Sequence, residues 1–144
     1  MSASPTDRPA PPAAAEEELL RAAADVAERA YAPYSHFRVG AALRTADGRI
    51  VVGANVENGA YPQSQCAEAS AIGALVAAGA DRIVAAAVVS PDRELCPPCG
   101  GCRQRLAEFG DEHTPVHLGR PGGPATIVTL GELLPMAFAF GGPA

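Results

Sequence analysis

The 144-residue chain has no tryptophan, no lysine and only seven aromatic residues, four Phe and three Tyr. Large rings supply much of the core of most small domains. This interior must instead be built from small side chains brought close together. Alanine is by far the commonest residue, and 48% of the chain is hydrophobic. A domain of this size buries a low fraction of its surface, so assembly with copies of itself is expected. The eleven basic residues are all arginine, are outnumbered by sixteen acidic ones for a net charge of −5, and form no run. That balance argues against a nucleic acid polymer as partner and favours small-molecule chemistry. No apolar stretch is long enough to cross a membrane. The best, Ala69–Ala80, is broken by Gly73 and Gly79 and falls well short of the ~18–20 residues required. The N-terminus lacks the basic start and apolar run of a secretion signal. Cysteine is scarce too, with four in all, but Cys96, Cys99 and Cys102 crowd together in a spacing that suits a metal or redox site better than disulfides. A reduced, cytoplasmic setting is expected.

Residues 1–15 are proline-rich and aperiodic, which predicts a disordered tail, with a single domain over residues 16–140. Glu16, Glu17 and Glu18 open a helix whose apolar stripe is Leu19, Ala22, Ala23, Val26, Ala27 and Ala30. Phe37–Leu43 and Arg49–Val56 read as strands joined by a hairpin turn at Ala46-Asp47-Gly48. Ala67–Ala78 is an almost wholly apolar helix, expected to be buried on nearly every side. Ile83–Val89 is a continuous apolar run, expected to be a strand covered on both faces. A helix over Cys102–Phe109, short strands at Val116–Leu118 and Thr126–Val128, and a helical turn at Leu130–Leu134 complete the chain. This order predicts an α/β fold, a three-layer α/β/α domain around a mixed sheet of about five strands.

The chemistry concentrates in Cys66-Ala67-Glu68 and Pro98-Cys99-Gly100-Gly101-Cys102. Catalytic zinc takes three protein ligands and leaves a fourth position for water, and a tight Gly-Gly turn lets Cys99 and Cys102 face one ion. Cys66 and Cys102 fall where helices begin, so unpaired amides and the positive helix ends favour thiolates. Glu68, two residues beyond a ligand, is suited to take a proton from water and return it to substrate. His36, His113 and His117 fall outside the motif spacing and receive no metal role.

This pattern is the Cys-x-Glu…Pro-Cys-x-x-Cys form of the zinc deaminase signature. From Tyr31 to Phe138 the sequence resembles the short-chain cytidine deaminases. The resemblance is carried by Pro33-Tyr34-Ser35-His36-Phe37-Arg38-Val39-Gly40-Ala41-Ala42, Asn55-Val56-Glu57-Asn58, the two cysteine motifs with Arg103-Gln104, and Leu133-Leu134-Pro135. It implies a homotetramer with one Zn2+ per chain, hydrolysing cytidine and deoxycytidine to uracil nucleosides and ammonia in pyrimidine salvage. It further implies that Asn55 and Glu57 hold the ribose hydroxyls, consistent with side chains two apart at a strand end pointing the same way. By the same resemblance Phe37 stacks on the base, the Ala67 N–H holds the pyrimidine carbonyl, and Tyr61 and Phe138 reach a neighbouring subunit's site. Two departures stand out. Many relatives place Arg after the glutamate, where this chain has Ala69, and Arg103 is the expected substitute for its charge. Cys96 is an additional thiol.

Other readings compete. Cys66, Cys96, Cys99 and Cys102 would also make a closed structural zinc site, though that leaves Glu68, Asn55 and Glu57 without a task. Cys96 and Cys99 could form a redox pair. Asn55 could serve only as a turn residue, Phe37 only as core, and Tyr61 only as a loop anchor. Among enzymes, a deaminase of a modified cytosine nucleoside of the blasticidin type would share the zinc chemistry and differ in its sugar pocket.

Overall fold

The computed structural model describes residues 13–140. Five strands form one sheet in the order β2-β1-β3-β4-β5: β1 (Gly40–Thr45), β2 (Ile50–Ala54), β3 (Ile83–Val89), β4 (Pro115–Gly119) and β5 (Ala125–Thr129). Only β3 and β4 run parallel, linked by the crossover helix α3 (Gly100–Phe109); the other pairs are antiparallel. The apolar run Ile83–Val89 is the central strand, as its composition predicts, with Val84 at its start the one exposed position.

Alternation along the strands divides the core. Ala42, Ala87 and Val89 face α1 (Ala13–Ala27), meeting Leu19, Leu20 and Ala23. Ala41, Leu43, Ala86 and Val88 face the opposite way, toward Ala67, Ala71 and Leu75 of α2 (Ala67–Ala77) and Leu106 of α3. The expected three layers are therefore present. Two glycines set how closely the layers approach. A Cβ on Gly40 would lie 1.9 Å from the Ala23 carbonyl oxygen of α1, and one on Gly53 would lie 2.2 Å from the Ala71 nitrogen of α2.

Several expectations need correction. Helix α1 opens at Ala13 rather than Glu16, because alanine, the best helix former, extends it backward. Residues 1–12 of the expected tail lie outside the described residues. The expected strands over Phe37–Leu43 and Arg49–Val56 pair only over Gly40–Thr45 and Ile50–Ala54. The ladder ends where the Asn55 side chain takes over as partner of Val39, an amide standing in for backbone. Helix α2 is not buried all round. Ala67, Glu68, Ala71 and Leu75 are buried, whereas Gly73, Val76 and Ala77 face outward, Val76 with 55% exposure. Its apolar composition thus covers two faces, only one of which meets the sheet of its own chain. The last helical turn, α4 (Leu130–Leu133), is closed by a capping box between Thr129 and Glu132.

Candidate active site and metal centre

The first turns of α2 and α3 meet on one side of the sheet. Cys66 is the N-cap of α2, Cys99 is the N-cap of α3, and Cys102 lies in the first turn of α3. The Cys66 and Cys99 sulfurs are 3.9 Å apart, and all three sulfurs lie within 4.8 Å of one another. A tetrahedral zinc with bonds of about 2.3 Å requires sulfurs about 3.8 Å apart, so this donor set fits zinc. Burial pushes the Cys66 and Cys102 thiols up, while the Cys102 backbone N–H favours the Cys99 thiolate and draws that thiol down. Among the described residues, this is the group of metal-type donors that converges. Cys96 is buried in the main core cluster and stands outside it. The four-sulfur closed site is therefore not formed.

Glu68 follows in the first turn of α2 and is only 4% exposed. Burial raises its carboxyl, and its own backbone N–H, Cys102 and the charge of Arg105 only partly oppose that. It lines a cleft of about 300 Å³ together with Cys66, Cys99, Ala67, Phe37, Asn55 and Glu57, at the small end of ligand pockets. One cavity therefore gathers seven of the ten residues named from the sequence, with a buried acid next to the sulfurs.

The polar wall is tightly bonded. Asn55 Oδ1 accepts from the Val39 N–H at 2.8 Å, and its Nδ2 donates to the Phe37 carbonyl at 2.8 Å. One N–H and one lone pair remain for a ligand, so the turn-residue and ligand-binding readings of Asn55 coexist. Glu57 Oε1 accepts from the Tyr34 and Ser35 N–H groups at 2.9 and 3.0 Å, and Oε2 accepts from the Ser35 hydroxyl. Those donors, the hydroxyl foremost, hold the Glu57 carboxyl below the usual range and keep it ionised. Ser35 was not singled out from the sequence. Its place in Tyr34-Ser35-His36-Phe37, beside a residue named for stacking, was the available signal.

Three named residues do not line the cleft. Tyr61 lies edge-on to Tyr34, with ring centroids 6.0 Å apart, and is 73% exposed. Phe138 is likewise 73% exposed, its carbonyl accepting from Gln104. Cys102 is buried behind the cleft surface but remains in the sulfur group. Arg103, the expected substitute for the charge missing at Ala69, is hydrogen-bonded on two sides. Its guanidinium donates to the Pro98 carbonyl at 2.8 Å and the Leu133 carbonyl at 3.0 Å. It therefore braces the turn that carries Cys99 against α4.

Three thiols and a buried glutamate where two helices begin, on an α/β/α frame, define the class as a zinc-dependent hydrolytic deaminase. The family described as "Cytidine and deoxycytidylate deaminase zinc-binding region" matches residues 13–118, and the chain belongs to that family. It is 44% identical over 120 residues to a cytidine deaminase of Halalkalibacterium halodurans, covering 83% of this chain and 91% of the relative. It is also 44% identical over 117 residues to a cytidine deaminase of Mycobacterium tuberculosis, covering 81% and 84%. The crystal structure of cytidine deaminase from Burkholderia pseudomallei superposes with a TM-score of 0.78 at 43% identity, covering 84% of this chain and 97% of that one.

Proposed function

We propose that the protein hydrolyses cytidine and deoxycytidine to the corresponding uracil nucleosides with release of ammonia, as a hydrolase of a cyclic amidine C–N bond. The observation that carries this reading is the buried Glu68 carboxyl opening into the same cleft as the three-sulfur donor set. Cys66, Cys99 and Cys102 would hold zinc, which would supply the Lewis acidity to make water a nucleophile near neutral pH. Glu68 takes the proton of the water that adds to C4 and places it on N3 of the pyrimidine. It then takes the proton of the new C4 hydroxyl and passes it to the amine, which leaves as ammonia while C4 becomes a carbonyl, so one carboxyl serves as base and then as acid. Burial raises this carboxyl above the ordinary glutamate range, which favours its protonated form in the acid half of that cycle.

The remaining cleft residues bind and orient. The Ala67 N–H, in the first turn of α2 where amides lack intrahelical partners, holds the pyrimidine carbonyl. Phe37 stacks on the base. Asn55, with its spare donor and acceptor, and the ionised Glu57 hold the sugar hydroxyls. Tyr61 and Phe138, both exposed and outside the lining of the cleft, complete the site of a neighbouring subunit in a homotetramer. The outward apolar face of α2 and the exposed Met136, Phe138 and Phe140 support that assembly. Residues 16–140 act as one deaminase domain in cytoplasmic pyrimidine salvage. No helix is long and apolar enough to cross a membrane among the described residues, and the acidic net charge argues against a polymer substrate.

The test is loss of the cytosine ultraviolet band with cytidine, deoxycytidine and blasticidin S offered separately, with zinc measured on the same sample. Turnover of the two natural nucleosides supports the proposal. Turnover of blasticidin S alone would replace it with the modified-nucleoside reading.

A further inference from the structure

The segment that leaves β3 and ends at the ligand Cys99 runs along the mouth of the cleft, where Cys96 and Pro97 form part of the wall. It is anchored at Asp92, whose carboxylate accepts from the Arg38 backbone N–H at 2.8 Å, from Nε at 3.2 Å and from Nη2 at 3.0 Å. Asp92 is therefore satisfied by Arg38, and the adjacent Arg93 is left to another partner. Its guanidinium carbon lies 5.4 Å from the centroid of the Phe37 ring, within the range of a cation–π contact. Among the described residues Arg93 makes no ion pair.

The backbone around Phe37 is already fixed. Its N–H donates to Ser35 Oγ at 3.0 Å, its carbonyl accepts from Asn55, and the preceding His36 is held in the left-handed region at φ 58°. None of these bonds reaches the ring, which is half-buried against the main core cluster and keeps its own torsions. Phe37 lines the cleft and Arg93 does not, so the guanidinium covers the ring from outside the cavity.

We propose that Arg93 is a positioning residue for the substrate, holding the Phe37 ring in place so that its cleft side is presented to a pyrimidine base. This rests on the deaminase reading. A stacked base is held alike in the ground state and the transition state, so the contribution appears in KM and leaves kcat in place.

The test compares Arg93→Gln and Arg93→Lys, each alone and in a Phe37→Leu background. KM and kcat are measured for cytidine, uridine affinity is measured by calorimetry, and zinc content and thermal unfolding are recorded for every protein. Arg93→Gln should raise KM and weaken uridine binding roughly two- to fivefold, the scale of an exposed cation–π contact, with kcat unchanged. Arg93→Lys should recover most of the loss, and neither change should matter once the ring is gone. An equal loss in the Phe37→Leu background, a fall in kcat in place of a rise in KM, or no change in either constant overturns the proposal. A parent protein that binds uridine but never deaminates cytidine counts against the deaminase reading alone, since the calorimetric comparison still reads the Arg93–Phe37 coupling. Failure to bind or turn over any pyrimidine nucleoside counts against both.

Discussion

The sulfurs of Cys66 and Cys99 stand 3.9 Å apart although 33 residues separate them in sequence, because each is the residue that starts a helix. The sheet holds those two helix starts together. β3 leads through the Ser90–Pro98 segment to α3, and α2 sits on β1 and β2 through the gap left by Gly53. The metal site is thus a consequence of how two helices are seated.

Removing a sulfur separates ligands from bystanders. Cys102→Ala should abolish stoichiometric zinc binding, whereas Cys96→Ser should keep one zinc per chain and most of the activity, since Cys96 stands outside the sulfur group. Metal analysis of the purified variants decides it. Zinc loss from Cys96→Ser would reinstate the four-sulfur site.

Gly53 tests the seating of α2. An added Cβ meets the Ala71 nitrogen at 2.2 Å and the Ala67 carbonyl oxygen at 2.7 Å, and backbone atoms cannot step aside as a side chain tip can. Gly53→Ala should destabilise by at least the ~1–3 kcal/mol typical of overpacking and should loosen zinc as well, because the helix that must shift carries Glu68 and is capped by Cys66. Thermal unfolding and the rate of zinc transfer to a chelator should move together.

Ser35→Ala removes the hydroxyl that contributes most to holding the Glu57 carboxyl low, leaving the two backbone bonds. If Glu57 binds the sugar, KM for cytidine should rise several-fold with little change in kcat, because sugar contacts are made in ground and transition states alike. Steady-state kinetics of the variant check this. A fall in kcat at constant KM would place Ser35 in the chemical step.

His117 gives the fold a pH dependence of its own. It is 1% exposed on β4, and its Nδ1 has no partner. Burial lowers its pKa below the ordinary 6.5, opposed only by Glu16. The unfolded chain therefore takes up a proton on acidification before the folded one does. The neutral imidazole's advantage is complete above about pH 6.5 and is lost progressively as pH falls from there toward the folded-state value. Thermal unfolding of the parent should weaken over that interval, and His117→Phe should show a flatter profile there. Parallel profiles would assign the acid sensitivity to other groups.

Much of this was legible in the sequence for identifiable reasons. The run Ile83–Val89 could only be a strand covered on both sides, and it is the middle of the sheet. The cysteine spacing named the three sulfurs that the fold brings together, because tetrahedral coordination restricts what short spacings can do. Sequence was less informative where one residue type serves two surroundings. The alanines of α2 do not reveal which side meets the sheet and which faces outward, so burial was expected on every side. Arg103, adjacent to Cys102 in sequence, spends its guanidinium on the Pro98 and Leu133 carbonyls, partners that no local pattern announces. The contact of Arg93 with Phe37 spans two loops and leaves no local pattern.

The central claim is that Glu68 moves the proton. Glu68→Gln preserves the size of the side chain and removes its acid–base function. The zinc content of this variant and its rate of cytidine deamination should be measured on one preparation. One zinc per chain with turnover reduced at least ~10²–10⁴-fold is the predicted result, and near-normal turnover with zinc in place would contradict the account.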